Sequence, residues 1–417
     1  MLRIGFLLLL SLWSFLVPPV QAQEGQGELR DTVYFTSNRK KINIPFKLVH
    51  NLIVIPAKIN NSNSLNFILD TGVRNTLITR LFFTDSLDLK NVQRTQIRGL
   101  GTGYTIEAVI STGNSLQMTG IKGENQEVNV LMEDIFNLST YMGMPIHGII
   151  GYDIFKNFVV KVNYSGRVLT LYRPDIILKK KRKAEEYPLH IENDKAYIYA
   201  KVRQHNGDTL EVKLVVDTGA SHTLSLYLPT DDRLMLPPKT MEAYLGRGLS
   251  GDINGKIGRL DGFSMGRYEL QNLPASYPDE EAIKLALGVA NRNGNLGSDI
   301  LKRFTVVFDY PHERLLLIPN SKFKEPFHFN MTGFEISTPM PGLNFYVVSH
   351  VVQNSPANMA GIMYGDELIS INGKSCTEMS LNDVLDTLES RPGRKLSIKL
   401  RRDTKVINVS LVLQSRI

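Results

Sequence analysis

The sequence predicts a mainly β molecule with two similar lobes in tandem and a smaller α+β domain after them. An internal repeat is the first sign of this. Phe67-Ile68-Leu69-Asp70-Thr71-Gly72-Val73-Arg74-Asn75-Thr76-Leu77 returns as Leu214-Val215-Val216-Asp217-Thr218-Gly219-Ala220-Ser221-His222-Thr223-Leu224. The landmarks downstream keep their spacing. A glycine pair, Gly99 and Gly101 then Gly246 and Gly248, starts 29 residues after each aspartate (99 − 70 and 246 − 217). Gly148-Ile149-Ile150-Gly151 answers Gly294-Asn295-Leu296-Gly297, with Phe158 and Phe304 following at matched distances. Short alternating runs such as Phe158-Val159-Val160-Lys161-Val162 then make each repeat of about 130 residues a β lobe. The last sign is an unrelated pattern beyond residue 334, which includes Gly365-Asp366-Glu367-Leu368-Ile369-Ser370-Ile371-Asn372-Gly373.

Composition agrees with several packed domains. Of 417 residues, 42% are hydrophobic and 21% charged, with 32 Gly and 19 Pro. This is a globular balance and excludes disordered, collagen-like and coiled-coil classes. At roughly 100 to 200 residues per domain, the chain holds about two to four domains.

In chain order, residues 1–22 predict a cleavable signal peptide: Met1-Leu2-Arg3, an apolar run over 4–17, the breaker Pro18-Pro19 and a small residue at Ala22. About 14 apolar residues fall short of the roughly 20 that span a bilayer, so no transmembrane segment is expected after cleavage. Residues 23–45 are expected to be an N-terminal strand or linker. Lobe one is placed at 46–175, a basic linker at 176–189 and lobe two at 190–320. In both lobes a strand leads through a turn-rich stretch, residues 60–64 and 204–209, into the apolar strand that ends in Asp-Thr-Gly, so both read as hairpins. Asn163-Tyr164 and Asp309-Tyr310 are expected to open the final strands. The cationic run at 179–183 is expected to be a solvated linker; contact with anionic lipid or processing is the alternative. His222 and His147 are expected to be solvent-facing loop residues.

The lone cysteine, Cys376, excludes an internal disulfide. Export without disulfides predicts a bacterial periplasm or the cell exterior. The net charge of +7 comes without a zinc-finger, helix-turn-helix or RNA-binding signature, so no nucleic-acid partner is expected.

A single Asp-Thr-Gly is a common turn, in which Asp accepts backbone N–H bonds and Gly supplies positive φ. Two copies at matched offsets, each flanked by apolar residues, put a carboxylate at the end of a buried strand, where desolvation is costly. With the glycine-rich hairpins and the hydrophobic-Gly turns, the span from about 46 to 320 resembles the retropepsin-like and pepsin-like aspartic peptidases. That resemblance implies two retropepsin-like β-barrel lobes forming a pseudo-dimer, each giving one aspartate to a shared cleft. It implies Asp70 and Asp217 as the catalytic dyad, with Thr71, Gly72, Thr218 and Gly219 supporting the loops. Two facing carboxylates share one proton, so one serves as base toward a water and the other as acid. Such chemistry needs no metal and no cofactor.

The flap candidates are Gly99, Gly101 and Gly103 in one lobe and Gly246 and Gly248 in the other. They are read as hairpin tips closing over an extended peptide, against the plainer reading of flexible loops. Val73-Arg74 departs from the family pattern of small residues and is expected to make the lobe-one cleft wall bulkier and cationic.

The tail, 334–415, resembles the PDZ domains attached to bacterial exported proteases. Gly342, Leu343, Asn344 and Phe345 are matched to the carboxylate-binding loop, with Asn344 in the usual glycine position. An amphipathic helix is expected over 380–389, then a Pro392-Gly393 turn and two closing strands. The resemblance implies docking of C-terminal peptides by strand addition; packing against the lobes is the alternative. The expected function is an exported aspartic endopeptidase acting on polypeptides. A peptide-binding scaffold without hydrolysis, and a homodimer using one lobe, stay open at this level.

Overall fold

The computed structural model describes residues 32–82, 85–103, 105–288 and 291–417. The expected signal peptide lies outside these residues. In lobe one the strands close into a ring of six: Ile121–Leu131, Thr76–Ile78, Gly148–Ile150, Leu65–Leu69, Leu52–Ile59 and Ile106–Met118, the last pairing back onto the first. Lobe two repeats the ring with Lys195–Arg203, Thr209–Val216, Gly294–Leu296, Leu224–Leu226, Tyr268–Pro278 and Gly251–Met265. Closure leaves no free edges in either ring. The inward residues of Leu52–Ile59, Leu65–Leu69 and their lobe-two counterparts are fully buried aliphatics and aromatics, each contributing about 1.5 to 3 kcal/mol on burial.

The lobes are not independent units. An antiparallel sheet runs Glu185–Pro188, Arg314–Pro319, Phe304–Asp309, Val159–Asn163, Val168–Tyr172, Lys41–Pro45, drawing strands from both repeats. At its centre Val162 faces Val306 and Val160 faces Phe308. One hydrophobic cluster therefore runs through both lobes, from Ile55 and Phe67 through Phe155 and Phe308 to Leu214 and Val216. Residues 41–45, expected as strand or linker, and 185–188, placed in the basic linker, are the outer strands of this shared sheet. Asn163 and Asp309 close strands, whereas the sequence reading had them opening the final ones; the turn comes one residue later than alternation implies. The run 179–183 is exposed.

The tail has its own core around Tyr346, Val348, Ile371 and Ile398, with Leu396 and Leu400 from the same strand as Ile398. Its sheet runs Phe334–Ser337, Val347–Val351, Glu367–Ile371, Lys395–Arg402, Lys405–Val412. The helix Leu381–Leu388 starts at a capping box: the Ser380 hydroxyl accepts from the Asp383 N–H, and the Asp383 carboxylate accepts from the Ser380 N–H at 2.9 Å. The Gly-Asp pair of the tail motif has a structural use, since Asp366 is fully buried and takes both Arg402 Nε (2.7 Å) and Nη2 (2.8 Å). The tail docks on lobe one through Asn382 Nδ2, which donates to Leu48 O (2.7 Å), and the Gly342 N–H, which donates to Gly143 O (2.9 Å). Its last residue, Ile417, packs in a lobe-two cluster with Ile257 and Ile283.

Candidate active site

Each Asp-Thr-Gly ends a ring strand beside a parallel neighbour. Asp70 follows Leu65–Leu69 and its N–H donates to Ile150 O (2.8 Å); Asp217 follows Thr209–Val216 and its N–H donates to Leu296 O (2.9 Å). Because the neighbouring strand turns directly beneath the loop, Gly151 is required there: a Cβ would sit 1.8 Å from Asp70 O. The two loops then meet across the lobe boundary. Thr71 Oγ1 donates to Val216 O (2.6 Å) and accepts from the Thr218 N–H (3.0 Å); Thr218 Oγ1 donates to Leu69 O (2.9 Å) and accepts from the Thr71 N–H (3.0 Å).

This exchange brings the two carboxyl groups together, fully buried. A Cβ on Gly219 would stand 2.2 Å from Asp70 Cγ. The Gly72 N–H donates to Asp70 Oδ1 (2.6 Å) and the Gly219 N–H to Asp217 Oδ1 (3.0 Å). Burial, then the neighbouring Asp217 charge, push the Asp70 carboxyl well above the usual range. Burial also raises Asp217, opposed first by Lys195 and then by Arg292. Two close carboxyls that resist ionising together share a proton.

The glycine-rich segments are hairpin tips. One joins Val92–Ile97 to Ile106–Met118 and the other joins Thr240–Gly248 to Gly251–Met265, and the two tips pack on each other. The Gly99 N–H donates to Ser250 Oγ (3.1 Å), the Ser250 N–H donates to Leu100 O (2.9 Å), and Gly103 also bonds Ser250. A Cβ on Gly248 would meet Leu100 O at 2.1 Å. The leucines are exchanged: Leu100 of lobe one is buried in a lobe-two cluster with Leu245 and Ile253, and Leu249 of lobe two in a lobe-one cluster with Val73 and Leu77.

Residues 55–154 and 200–300 each match the aspartyl protease family, and residues 347–402 match the PDZ domain family. Each aspartyl protease match contains one of the two aspartates. This chain is an aspartic-type peptidase with a PDZ domain. Among solved structures, it is similar to the crystal structure of aspartic proteinase from Irpex lacteus, with 11% identity, 68% of this chain and 99% of that chain covered, and a TM-score of 0.41.

Three side chains at the peptidase's buried carboxyls were not singled out from sequence. Lys195 Nζ, buried, donates to Gly72 O (2.5 Å); burial, then Arg292, lower this ammonium to about 8. Asn295 Nδ2 donates to Asp217 Oδ2 (2.9 Å), and its Oδ1 accepts from the Tyr227 hydroxyl (3.1 Å). Arg292 lies over the Tyr227 ring, 5.4 Å from its centroid. Asn295 had a signal in the repeat, standing where lobe one has Ile149; Lys195 had none, as the first residue of an apolar strand.

Several sequence expectations change in the folded peptidase. His222 is 5% exposed and His147 6%, so neither faces solvent. His147 directly precedes the buried strand Gly148–Ile150, and the His222 backbone packs on Gly297, where a Cβ would meet His222 O at 2.0 Å. His147 Nδ1 accepts from the Asn66 N–H (2.9 Å) and its Nε2 lies 3.3 Å from Asp85. Val73 packs in the lobe-one core, and Arg74, exposed, pairs with Asp194 at 3.0 Å, which neutralises the expected cation.

In the PDZ domain, Gly342, Leu343, Asn344 and Phe345 lie in the connection between Phe334–Ser337 and Val347–Val351, near the start of the helix. They do not line the cavity of about 390 Å³ between the free-edge strand Phe334–Ser337, the helix Leu381–Leu388 and the lobes. That cavity is bounded by Glu335, Leu385 and Glu389 on the PDZ side, and by His50, Tyr141 and His222 on the lobe side. Linear spacing identified a glycine-bearing loop but not which end of the strand it occupies.

Proposed function

We propose that this protein is an exported aspartic endopeptidase that hydrolyses peptide bonds with a water activated between Asp70 and Asp217. The pairing of the two buried carboxyls across the lobe boundary, in one chain, carries the reading. One carboxylate takes a proton from the water, whose oxygen attacks the peptide carbonyl carbon, while the other carboxyl protonates the carbonyl oxygen. The resulting diol collapses as the C–N bond breaks: the proton taken from water passes to the leaving nitrogen and a diol hydroxyl returns its proton to the second aspartate. Both residues end as they began. With both carboxyls fully buried, a substrate reaches them only when part of the surroundings moves, and the mutually packed hairpin tips are the segments we assign to that movement.

The PDZ domain is proposed to dock peptides, including C-terminal ones, along the free edge of Phe334–Ser337. Export to a bacterial periplasm or the cell exterior is proposed from the pattern of residues 1–22, and N-terminal sequencing of the protein recovered from a fractionated bacterial host checks it.

The test of the peptidase reading is cleavage of a diverse peptide mixture between about pH 4 and about pH 7 by wild type, Asp70→Asn and Asp217→Asn. Wild type is expected to cut, and to slow as rising pH removes the shared proton. Either substitution is expected to abolish cleavage. Full activity in one variant would put the chemistry on a single lobe.

A further inference from the structure

The two carboxyls are alike at Oδ1, which in each accepts a loop N–H, from Gly72 or Gly219. Their Oδ2 oxygens differ. Asp217 Oδ2 accepts from Asn295 Nδ2 at 2.9 Å, whereas Asp70 Oδ2, buried, accepts from no amide or hydroxyl among the described residues. The difference is written in the repeat. Asn295 sits opposite Val215, and the lobe-one residue in the same register, Ile149 opposite Ile68, has no N–H to offer from its side chain. Val73 and Ala220, next after the triplets, carry no hydroxyl that would replace it.

The orientation of the Asn295 amide is fixed by its other end. Its Oδ1 accepts the Tyr227 hydroxyl at 3.1 Å, so the NH2 group is the end presented to Asp217. Tyr227 is fully buried, with the Arg292 guanidinium over its ring. The other charged or titratable groups facing the pair are Lys195, from the strand Lys195–Arg203, and Tyr310, which follows Phe304–Asp309. Asp194, beside Lys195, is paired with Arg74. An oxygen with donors aimed at it holds negative charge best, and a buried oxygen without one is satisfied by carrying a proton and donating it. Lys195 acts on both carboxyls, while Arg292 acts on Asp217 and so deepens the difference.

We infer that Asn295, held by Tyr227, is a positioning residue that breaks the symmetry of the pair: Asp217 is the ionised base that deprotonates water, and Asp70 carries the proton delivered to the carbonyl oxygen. This rests on the reading of the two aspartates as a catalytic pair, but its test does not need turnover. The full chain is labelled with 13C at aspartate Cγ and titrated by NMR, the pair's signals being assigned by their loss in Asp70→Asn and Asp217→Asn. Asp217 is expected to ionise first, with Asp70 protonated to higher pH. In Asn295→Ile, which copies lobe one, the first midpoint is expected to rise by about one pH unit. Tyr227→Phe, which keeps the ring but frees the amide, is expected to move it less and in the same direction, and it serves if the Asn295 variant fails to fold. Asn295→Ser, with a donor restored, is expected to recover part of the shift. Ionisation of Asp70 first, or midpoints unmoved in folded variants, would overturn the assignment. If the order holds and no peptide is cleaved at any pH, the peptidase reading fails and the proton assignment stands.

Discussion

Thr71 and Thr218 each reach into the opposite lobe with a hydroxyl that donates once and accepts once, all of it buried. Thr218→Ala would strand the Thr71 N–H and Leu69 O together. At roughly 1 to 3 kcal/mol per stranded buried group, the expected loss of stability is about 2 to 6 kcal/mol. Thr218→Ser keeps the oxygen and is expected to lose less than half as much, which urea unfolding of the two variants side by side would measure. These threonines were legible in the sequence because the triplet repeats. Lys195 was not, because its contact with Gly72 O spans 123 positions of sequence and no local pattern announces it.

Among the elements, the hairpin tips hold each other by exchanging leucines, so each tip uses the other lobe's core as its socket. Leu100 and Leu249 are each 1% exposed. Leu100→Ala or Leu249→Ala leaves a cavity in the opposite lobe and weakens the closed arrangement, with a full core truncation worth about 2 to 5 kcal/mol. Hydrogen exchange is expected to speed up in both tips of either single variant, because the tips close together. Faster exchange confined to the mutated tip would mean they move independently. The hairpins themselves followed from glycine spacing and alternation, but the exchange depends on how the lobes face one another.

At the scale of the whole molecule, the cavity between lobes and PDZ domain gathers the half-buried ionisable groups His50, Glu335 and Glu389 beside buried His222. Burial raises Glu335 to about 8 and Glu389 to about 7, and lowers His50 and His222 to about 4. The unfolded chain ionises its glutamates near ~4.3 and its histidines near ~6.5. Between about pH 4.5 and about pH 6.5, the folded state holds more protons on the glutamates and fewer on the histidines, and the two effects oppose. From about pH 6.5 to about pH 8, of these four groups only the glutamates differ: the folded state holds the extra protons, so their contribution to stability falls as pH rises. The melting temperature of wild type is expected to drop across that interval, and that of Glu335→Gln/Glu389→Gln to drop less. Equal slopes would remove these glutamates from the docking of the two parts.

The tandem β lobes, the tail domain, the two aspartates and the glycine-rich hairpins were legible along the chain, because each is a local pattern or a repeat of one. The strands shared between lobes, the burial of His147 and His222, the place of Gly342 to Phe345 in the PDZ domain, and the unequal donors at the two carboxyls emerge only in the folded chain. These are contacts between residues far apart in the chain. Their free energy comes from burial and hydrogen bonding in three dimensions, which spacing along one dimension does not encode.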